Sequence, residues 1–137
     1  MKKSLVIAIL GLSSVLFVAS CSKDKNDGGS SASTAQGTWT GTGQYGTGGG
    51  NPTYIFSLNL KADGTVSIVG NNSVAIDNAT GTWQMVQDSV KATYTYAASS
   101  AVYKLSAKYS SNSNIMVGTI GLNPATTGIG IFTVTRQ

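Results

Sequence analysis

The sequence predicts an all-β protein whose single small domain has eight antiparallel strands in an up-and-down meander. Apolar and polar residues alternate with a period of two, and turn-forming residues interrupt the chain at short intervals. No window of the domain shows the sustained i, i+3, i+4 apolar spacing of a helix. A meander with one apolar face closes into a barrel or, alternatively, folds into a β-sandwich. The barrel is preferred, because closure removes the sheet edges that invite aggregation.

Each strand is placed by its alternation and by the turns that bound it. The first strand starts beside Trp39 and runs into a glycine-rich loop, and the second alternates strictly from Tyr54 to Leu60. A tight Asp63-Gly64 hairpin opens the third, and Asn, Ser, Asp, Gly and Pro clusters separate the remaining five. The predicted strands are 38–46, 53–61, 65–70, 80–87, 90–97, 102–109, 115–122 and 129–135.

Composition excludes several kinds of chemistry in this chain of 137 residues. It has no His and no Glu, so a Ser-His-Asp triad, an ordinary zinc site and a Glu-based acid/base pair are all excluded. A single Cys forms no internal disulfide. Charged residues make up only 10%, and no Lys/Arg run could neutralise several phosphates, so a nucleic acid is not expected as a partner.

The first twenty residues have the pattern of a secretory signal. A basic Met1-Lys2-Lys3 start precedes a short apolar run, and small residues lead into Cys21. The run is shorter than the roughly twenty residues that a membrane-spanning helix needs. Loss of Lys2 and Lys3 with this segment leaves seven of the nine basic side chains against five acids, a net charge of +2.

The sequence Val18-Ala19-Ser20-Cys21 resembles the lipobox of bacterial lipoproteins. The resemblance implies that Cys21 is lipidated, becomes the new N-terminus and anchors the protein to a membrane, with Ser22 favouring the outer membrane. Several acyl chains hold a protein far more firmly than one. Residues 1–20 are therefore predicted to be a signal peptide.

Residues 21–36 are predicted to be the lipidated Cys followed by a flexible tether rich in Ser, Gly and Asp, and residues 37–137 the barrel domain. The stretch Cys21-Ser22-Lys23-Asp24 resembles the start of Bacteroidota surface lipoproteins. Lys25 and Asn26 interrupt the run of acids that such export signals carry. Two locations therefore remain as alternatives, the cell surface and the periplasmic side of the outer membrane.

Gly37 and Trp39 resemble the Gly-x-Trp signature that opens calycin barrels, the group that includes the lipocalins. Lipocalins also carry an Arg near the end of the last strand that packs across this Trp, and Arg136 has that position. In a closed meander the first and last strands are antiparallel neighbours, which would bring Trp39 and Arg136 together. Gly37-Thr38-Trp39 recurs as Gly81-Thr82-Trp83, which either half-barrel duplication or chance explains.

Besides Cys21, the sequence offers one further candidate modification site, and it offers no candidate catalytic residue. Asp88-Ser89-Val90 resembles a short O-glycosylation motif of the same bacterial group, with Ser89 as acceptor in an exposed turn. Asp63, Asp77 and Asp88 fall in predicted turns, where Asp caps the local backbone. The sequence suggests no cofactor and no metal ligand set.

Two non-enzymatic functions follow from this sequence. The first is an accessory or interaction subunit of a cell-envelope complex, or an inhibitor, with an outer-membrane protein as partner. The alternative is a lipocalin-like binding protein that holds a small apolar or sugar-like ligand in a barrel mouth lined by Tyr45, Tyr94 and Tyr96. A barrel of this size has a narrow interior that its own side chains largely fill, which favours the first function.

Overall fold

The computed structural model describes residues 35–70 and 78–137 and confirms the all-β prediction. Its eight strands are β1 (Gly37–Tyr45), β2 (Thr53–Leu60), β3 (Thr65–Gly70), β4 (Asn78–Val86), β5 (Ser89–Tyr96), β6 (Val102–Ser110), β7 (Ile115–Leu122) and β8 (Gly130–Arg136). No boundary differs from the predicted one by more than two residues. No helix in these two ranges is long and apolar enough to cross a membrane.

The strands form one closed antiparallel barrel in which each pairs with the next and β1 pairs with β8. The β1–β8 register places Trp39 opposite Arg136 and Tyr45 opposite Gly130. Closure therefore decides between the barrel and the alternative sandwich in favour of the barrel. This small closed eight-stranded meander is consistent with a lipocalin-like barrel.

The two ends of the barrel differ because consecutive strands run in opposite directions. At one end, which we call the closed end, β1 begins, β8 ends and the turns 61–64, 87–88 and 111–114 are short. At the other end, which we call the mouth, β1 and β3 end, β4 begins, and the connections 46–52, 97–101 and 123–129 are longer. The chain thus enters and leaves the barrel at the closed end.

Alternate side chains of all eight strands point into the barrel and form one apolar core. The core reaches past the predicted domain start, because Ala35 is fully buried and its carbonyl accepts the Trp39 indole Nε1–H at 2.9 Å. Ala35 and the Gln36 carbonyl therefore pack against the barrel. The indole of Trp83 donates to the Lys61 carbonyl at 2.9 Å, also at the closed end.

Candidate functional site at the mouth of the barrel

Tyrosines are concentrated at the mouth. Of the six in the chain, five lie at or just below the strand ends that form it: Tyr45, Tyr54, Tyr94, Tyr96 and Tyr103. We call these five the tyrosine cluster. The topology brings them together, since the last residues of odd-numbered strands and the first residues of even-numbered strands meet at the same end of the meander.

One side of the cluster lies on β1 and β2. The rings of Tyr45 and Tyr54 are 4.6 Å apart between centroids, and Tyr45 is 53% exposed at the rim. Tyr54 lies across Gly43, where an added Cβ would come within 2.4 Å of the phenol ring. Glycine at this position thus gives the ring room to lie across the mouth.

The other side lies on β5 and β6. Tyr94 and Tyr103 are nearly parallel, with centroids 6.0 Å apart, and Tyr96 stands edge-on to both at 5.7 and 5.3 Å. Tyr94 is only 1% exposed, so it forms the floor of the mouth, whereas Tyr96 and Tyr103 are half-buried above it. Edge-on and offset contacts of this kind stabilise aromatic clusters beyond simple burial.

The phenols of Tyr54 and Tyr94 are neutral at physiological pH. Burial is the main cause that raises the pKa of Tyr94 above its ordinary value, and the neighbouring phenols of Tyr96 and Tyr54 add to it. Burial also raises the pKa of Tyr54, followed by the effects of Tyr96 and Tyr45. The hydroxyls are therefore suited to hydrogen bonding and the rings to stacking, and neither phenol is suited to act as a base.

Two polar atoms at the mouth end, Tyr94 Oη and Asn78 Oδ1, are buried and have no hydrogen-bond partner of ordinary geometry among the described residues. Besides burial, the Tyr96 phenol raises the pKa of Tyr94 through its charge and through a side-chain hydrogen-bonding contact that is looser than an ordinary hydrogen bond. A buried polar group without a partner costs about 1–3 kcal/mol of stability. A hydroxyl or amide group entering the mouth could supply the missing bond.

We expect Tyr94→Phe to keep or slightly raise the free energy of unfolding, by up to about 1 kcal/mol, because it removes an unpaired buried hydroxyl and keeps the ring. Tyr94→Ala is the matched control, with an expected loss of about 3–5 kcal/mol from the cavity. Urea denaturation of both variants measures the difference. A loss above about 1 kcal/mol in Tyr94→Phe would show that the hydroxyl has a strong partner.

Below the mouth the barrel is filled by its own side chains. Phe56 and Phe132 pack with centroids 5.0 Å apart at mid-height. At Gly118 an added Cβ would come within 2.6 Å of the Phe132 ring and 2.7 Å of the Ala107 Cβ. The interior does not accommodate even a methyl group there, so any ligand of the mouth sits above this layer.

At the opposite end, Trp39 and Arg136 meet as the strand pairing requires. Arg136 Cζ lies 5.4 Å from the centroid of the fully buried Trp39 ring. The guanidinium also donates to the Gln36 carbonyl, and Tyr109 packs edge-on against the indole at 5.7 Å. Gly37 has a φ of 136°, and an added Cβ would lie 3.3 Å from the guanidinium, which explains glycine at this position.

The structure brings together the three tyrosines that the sequence singled out, but in different settings. Tyr45 is at the exposed rim, Tyr96 is half-buried and Tyr94 is closed off beneath it. Sequence reasoning missed Tyr54 and Tyr103. The sequence could have identified both, because alternation places each on the inward face of an even-numbered strand, at the end where that strand begins at the mouth.

The two aspartates at the closed end already have partners: Asp63 accepts hydrogen bonds and Asp88 forms an ion pair. Thr65 donates both its amide and its hydroxyl to Asp63 Oδ1, at 2.9 and 2.6 Å, and these bonds hold the carboxyl pKa below its usual range. Lys108 Nζ lies 2.7 Å from both oxygens of Asp88 and, with Ser89, lowers that pKa. No group of three or more metal-ligating side chains occurs among residues 35–70 and 78–137.

Of the two predicted modification sites, the structure describes Ser89 but not Cys21. Ser89 is the half-buried first residue of β5, and its hydroxyl donates to Asp88 Oδ1 at 3.1 Å. Its glycosylation stays a prediction. Cys21 lies outside the described residues, as does Asp77.

No protein-family model matches the chain, and no curated protein or solved structure matches it.

Proposed function

We propose that this chain is a non-enzymatic lipoprotein of the outer membrane, anchored through Cys21, that works as an interaction subunit or inhibitor in the cell envelope. The proposal includes the lipocalin-like relationship and the Bacteroidota-type origin that its motifs resemble. The observation that carries it is a filled barrel with an aromatic, partly exposed mouth at the end opposite the chain entry. The absence of His and Glu from the chain supports a role without catalysis.

The position of Gly37 supports an orientation for the anchored protein. A lipid on Cys21 joins the barrel through β1, which begins at the closed end. The mouth is then the end of the barrel that lies farthest from the point where the tether joins it. A partner approaching from the periplasm or from outside the cell would meet the tyrosine cluster and its neighbouring loops.

Exposed apolar side chains at the mouth support contact with a protein. Tyr45 of the tyrosine cluster is 53% exposed, and Leu122 and Ile129, which adjoin the cluster, are 50% and 42% exposed. Aromatic side chains are enriched in the centres of protein interfaces, where they bury large areas with few rotatable bonds. We therefore place the partner contact at the mouth.

Paired substitutions test this contact, because the barrel also exposes apolar residues on its outer wall. We expect Tyr45→Ser with Ile129→Ser to abolish copurification of a stoichiometric partner from detergent-solubilised outer membranes. The matched control is Ile55→Ser with Val117→Ser, which removes wall residues that are 49% and 54% exposed. Retention of the partner by the mouth variant, or its loss in both, contradicts the proposed contact.

A second candidate function is binding of a small ligand in the mouth, which the unpaired Tyr94 hydroxyl favours. The ligand would stack on the tyrosine rings and satisfy this hydroxyl, as a sugar-like or mixed polar and apolar molecule can. Native mass spectrometry of the purified protein distinguishes the two functions. A bound small molecule that Tyr94→Phe releases supports the second function, and a stoichiometric protein partner supports the first.

A further inference from the structure

The outer wall of the barrel carries a second concave site, separate from the mouth. A groove of about 480 Å³ lies across β4, β5 and β6, with Thr82, Gln84, Lys91, Thr93, Lys104 and Thr126 among its lining residues. All but Thr126 belong to outward-facing positions of the three strands. The groove is thus rich in hydrogen-bonding side chains, and none of the described residues that line it is acidic.

The connection from β7 to β8 forms one wall of the groove. Thr119 Oγ1 donates to the Thr126 carbonyl at 2.8 Å, which holds the connection against the outer face of the sheet. At Gly121 an added Cβ would come within 2.4 Å of the Thr127 amide nitrogen. Glycine at this position permits the close approach, so the concavity is built by backbone packing.

Strand register brings two lysines together in this groove. Lys91 pairs with Ser106, and Lys104 pairs with Thr93, so the two lysines are diagonal neighbours on one face of β5 and β6. Diagonal neighbours on a sheet are within reach of each other when their side chains are long. Two like charges at this separation repel each other, and an anion between them relieves that repulsion.

Neither aspartate of the described ranges neutralises these lysines. Asp63 is bound by Thr65, and Asp88 forms its ion pair with Lys108. Both groove lysines are half-buried, whereas the Lys108 side chain is 72% exposed. Because the two lysines are partly buried, water and salt screen their charges less than they would screen fully exposed charges.

We propose that this groove binds an oxyanion, a phosphate or carboxylate group carried by a small hydroxylated molecule such as an acidic or phosphorylated sugar. Lys91 and Lys104 hold the anionic group from two sides. The hydroxyls of Thr82 and Thr93 and the amide of Gln84 bind the neutral part of the molecule. The groove volume is within the range of small-molecule sites. The proposal is independent of the function assigned to the mouth.

Titration calorimetry on the full chain in a neutral detergent tests the site with glucose 6-phosphate, glucuronate and glucose. We expect the two anions to bind, glucose not to bind, and added NaCl to weaken the affinity. Lys91→Gln and Lys104→Gln should each weaken binding about tenfold, since each removes a charge-assisted hydrogen bond. Lys108→Gln is the matched control on the same face of β6 and should leave the affinity unchanged.

Amide resonances of the ¹⁵N-labelled protein locate the site and identify the source of the anion. Shifts at the groove on addition of glucose 6-phosphate indicate a soluble ligand. The same shifts only in micelles doped with phosphatidylglycerol, and not with phosphatidylcholine, indicate a lipid headgroup. Absence of both responses, equal binding of glucose, or equal loss in Lys108→Gln overturns the proposal. None of these readouts depends on the mouth, so the two proposals fail separately.

Discussion

Trp39→Ala is expected to lower the free energy of unfolding by about 3–5 kcal/mol, because it leaves a large cavity in a fully buried layer. Small domains are stable by only about 5–15 kcal/mol, so much of the stability would be lost. Part of the effect depends on the Arg136 guanidinium, 5.4 Å from the ring centroid. A cation–π contact of this kind contributes about 0.5–2 kcal/mol.

A double-mutant cycle with Arg136→Ala separates that contact from the cavity. We expect a coupling energy of about 0.5–2 kcal/mol for Trp39 with Arg136. Trp83 is the matched control, since its indole is also buried and bound to a carbonyl but has no cation over its ring in the described part of the chain. If the stability losses of Trp39→Ala and Arg136→Ala simply add, within about 0.3 kcal/mol, the proposed stabilising contact between the two side chains is contradicted. Trp39→Phe replaces Trp39→Ala if the alanine variant does not fold.

The largest effect on location is expected from Cys21→Ser. The variant should lack lipid, remain an unprocessed precursor and fail to accumulate as an anchored outer-membrane protein, because a serine hydroxyl does not replace the thiol on which the proposed lipidation begins. Each buried CH₂ of an acyl chain contributes about 0.8 kcal/mol to membrane binding, so losing the chains removes nearly all of it. Metabolic labelling with a fatty acid, combined with membrane fractionation, measures both properties.

Ser22→Ala provides the control for this experiment, since it alters the neighbouring residue and keeps the thiol. We expect it to be processed, labelled and sedimented with the outer membrane like the unaltered protein. An acylated, processed Cys21→Ser protein in the outer-membrane fraction would contradict the lipoprotein assignment. The barrel itself should fold in either variant, because Cys21 precedes the domain by more than a dozen residues.

Strand positions were predictable because the barrel is narrow and every strand has one buried face. Alternation in residues 53–60 and 89–96 marks that face directly, and a one-residue slip would expose the whole apolar set. The meeting of Trp39 and Arg136 followed from closure of the meander. Both inferences depend on local pattern and on topology, which the sequence carries.

The repeated Gly-Thr-Trp illustrates where pattern alone misleads. Half-barrel duplication would relate β1 to β5, which runs in the same direction. Gly81-Thr82-Trp83 lies instead in β4, which runs opposite to β1. The repeat is therefore not a duplicated half, although both indoles reach carbonyls at the closed end.

Neither binding surface could be predicted in full from the sequence. The depth of Tyr94, and the lack of an ordinary hydrogen bond from its hydroxyl to any described residue, depend on how the rings of different strands pack together. The outer groove depends on the β7–β8 connection folding over Gly121, which no local pattern encodes. Period-two alternation identifies the buried face of a strand, but it does not distinguish a flat outer face from a concave one.

Entry of the chain at the closed end has a mechanical consequence. A pull between a lipid anchor and a partner held at the mouth would run parallel to the strands and load β1 from its first residue. The hydrogen bonds that join β1 to β2 and to β8 lie across that direction along nearly the whole strand. They would resist as a set, in shear, instead of opening one by one like a zipper. Such a barrel would transmit tension from the membrane to its partner before it unravels.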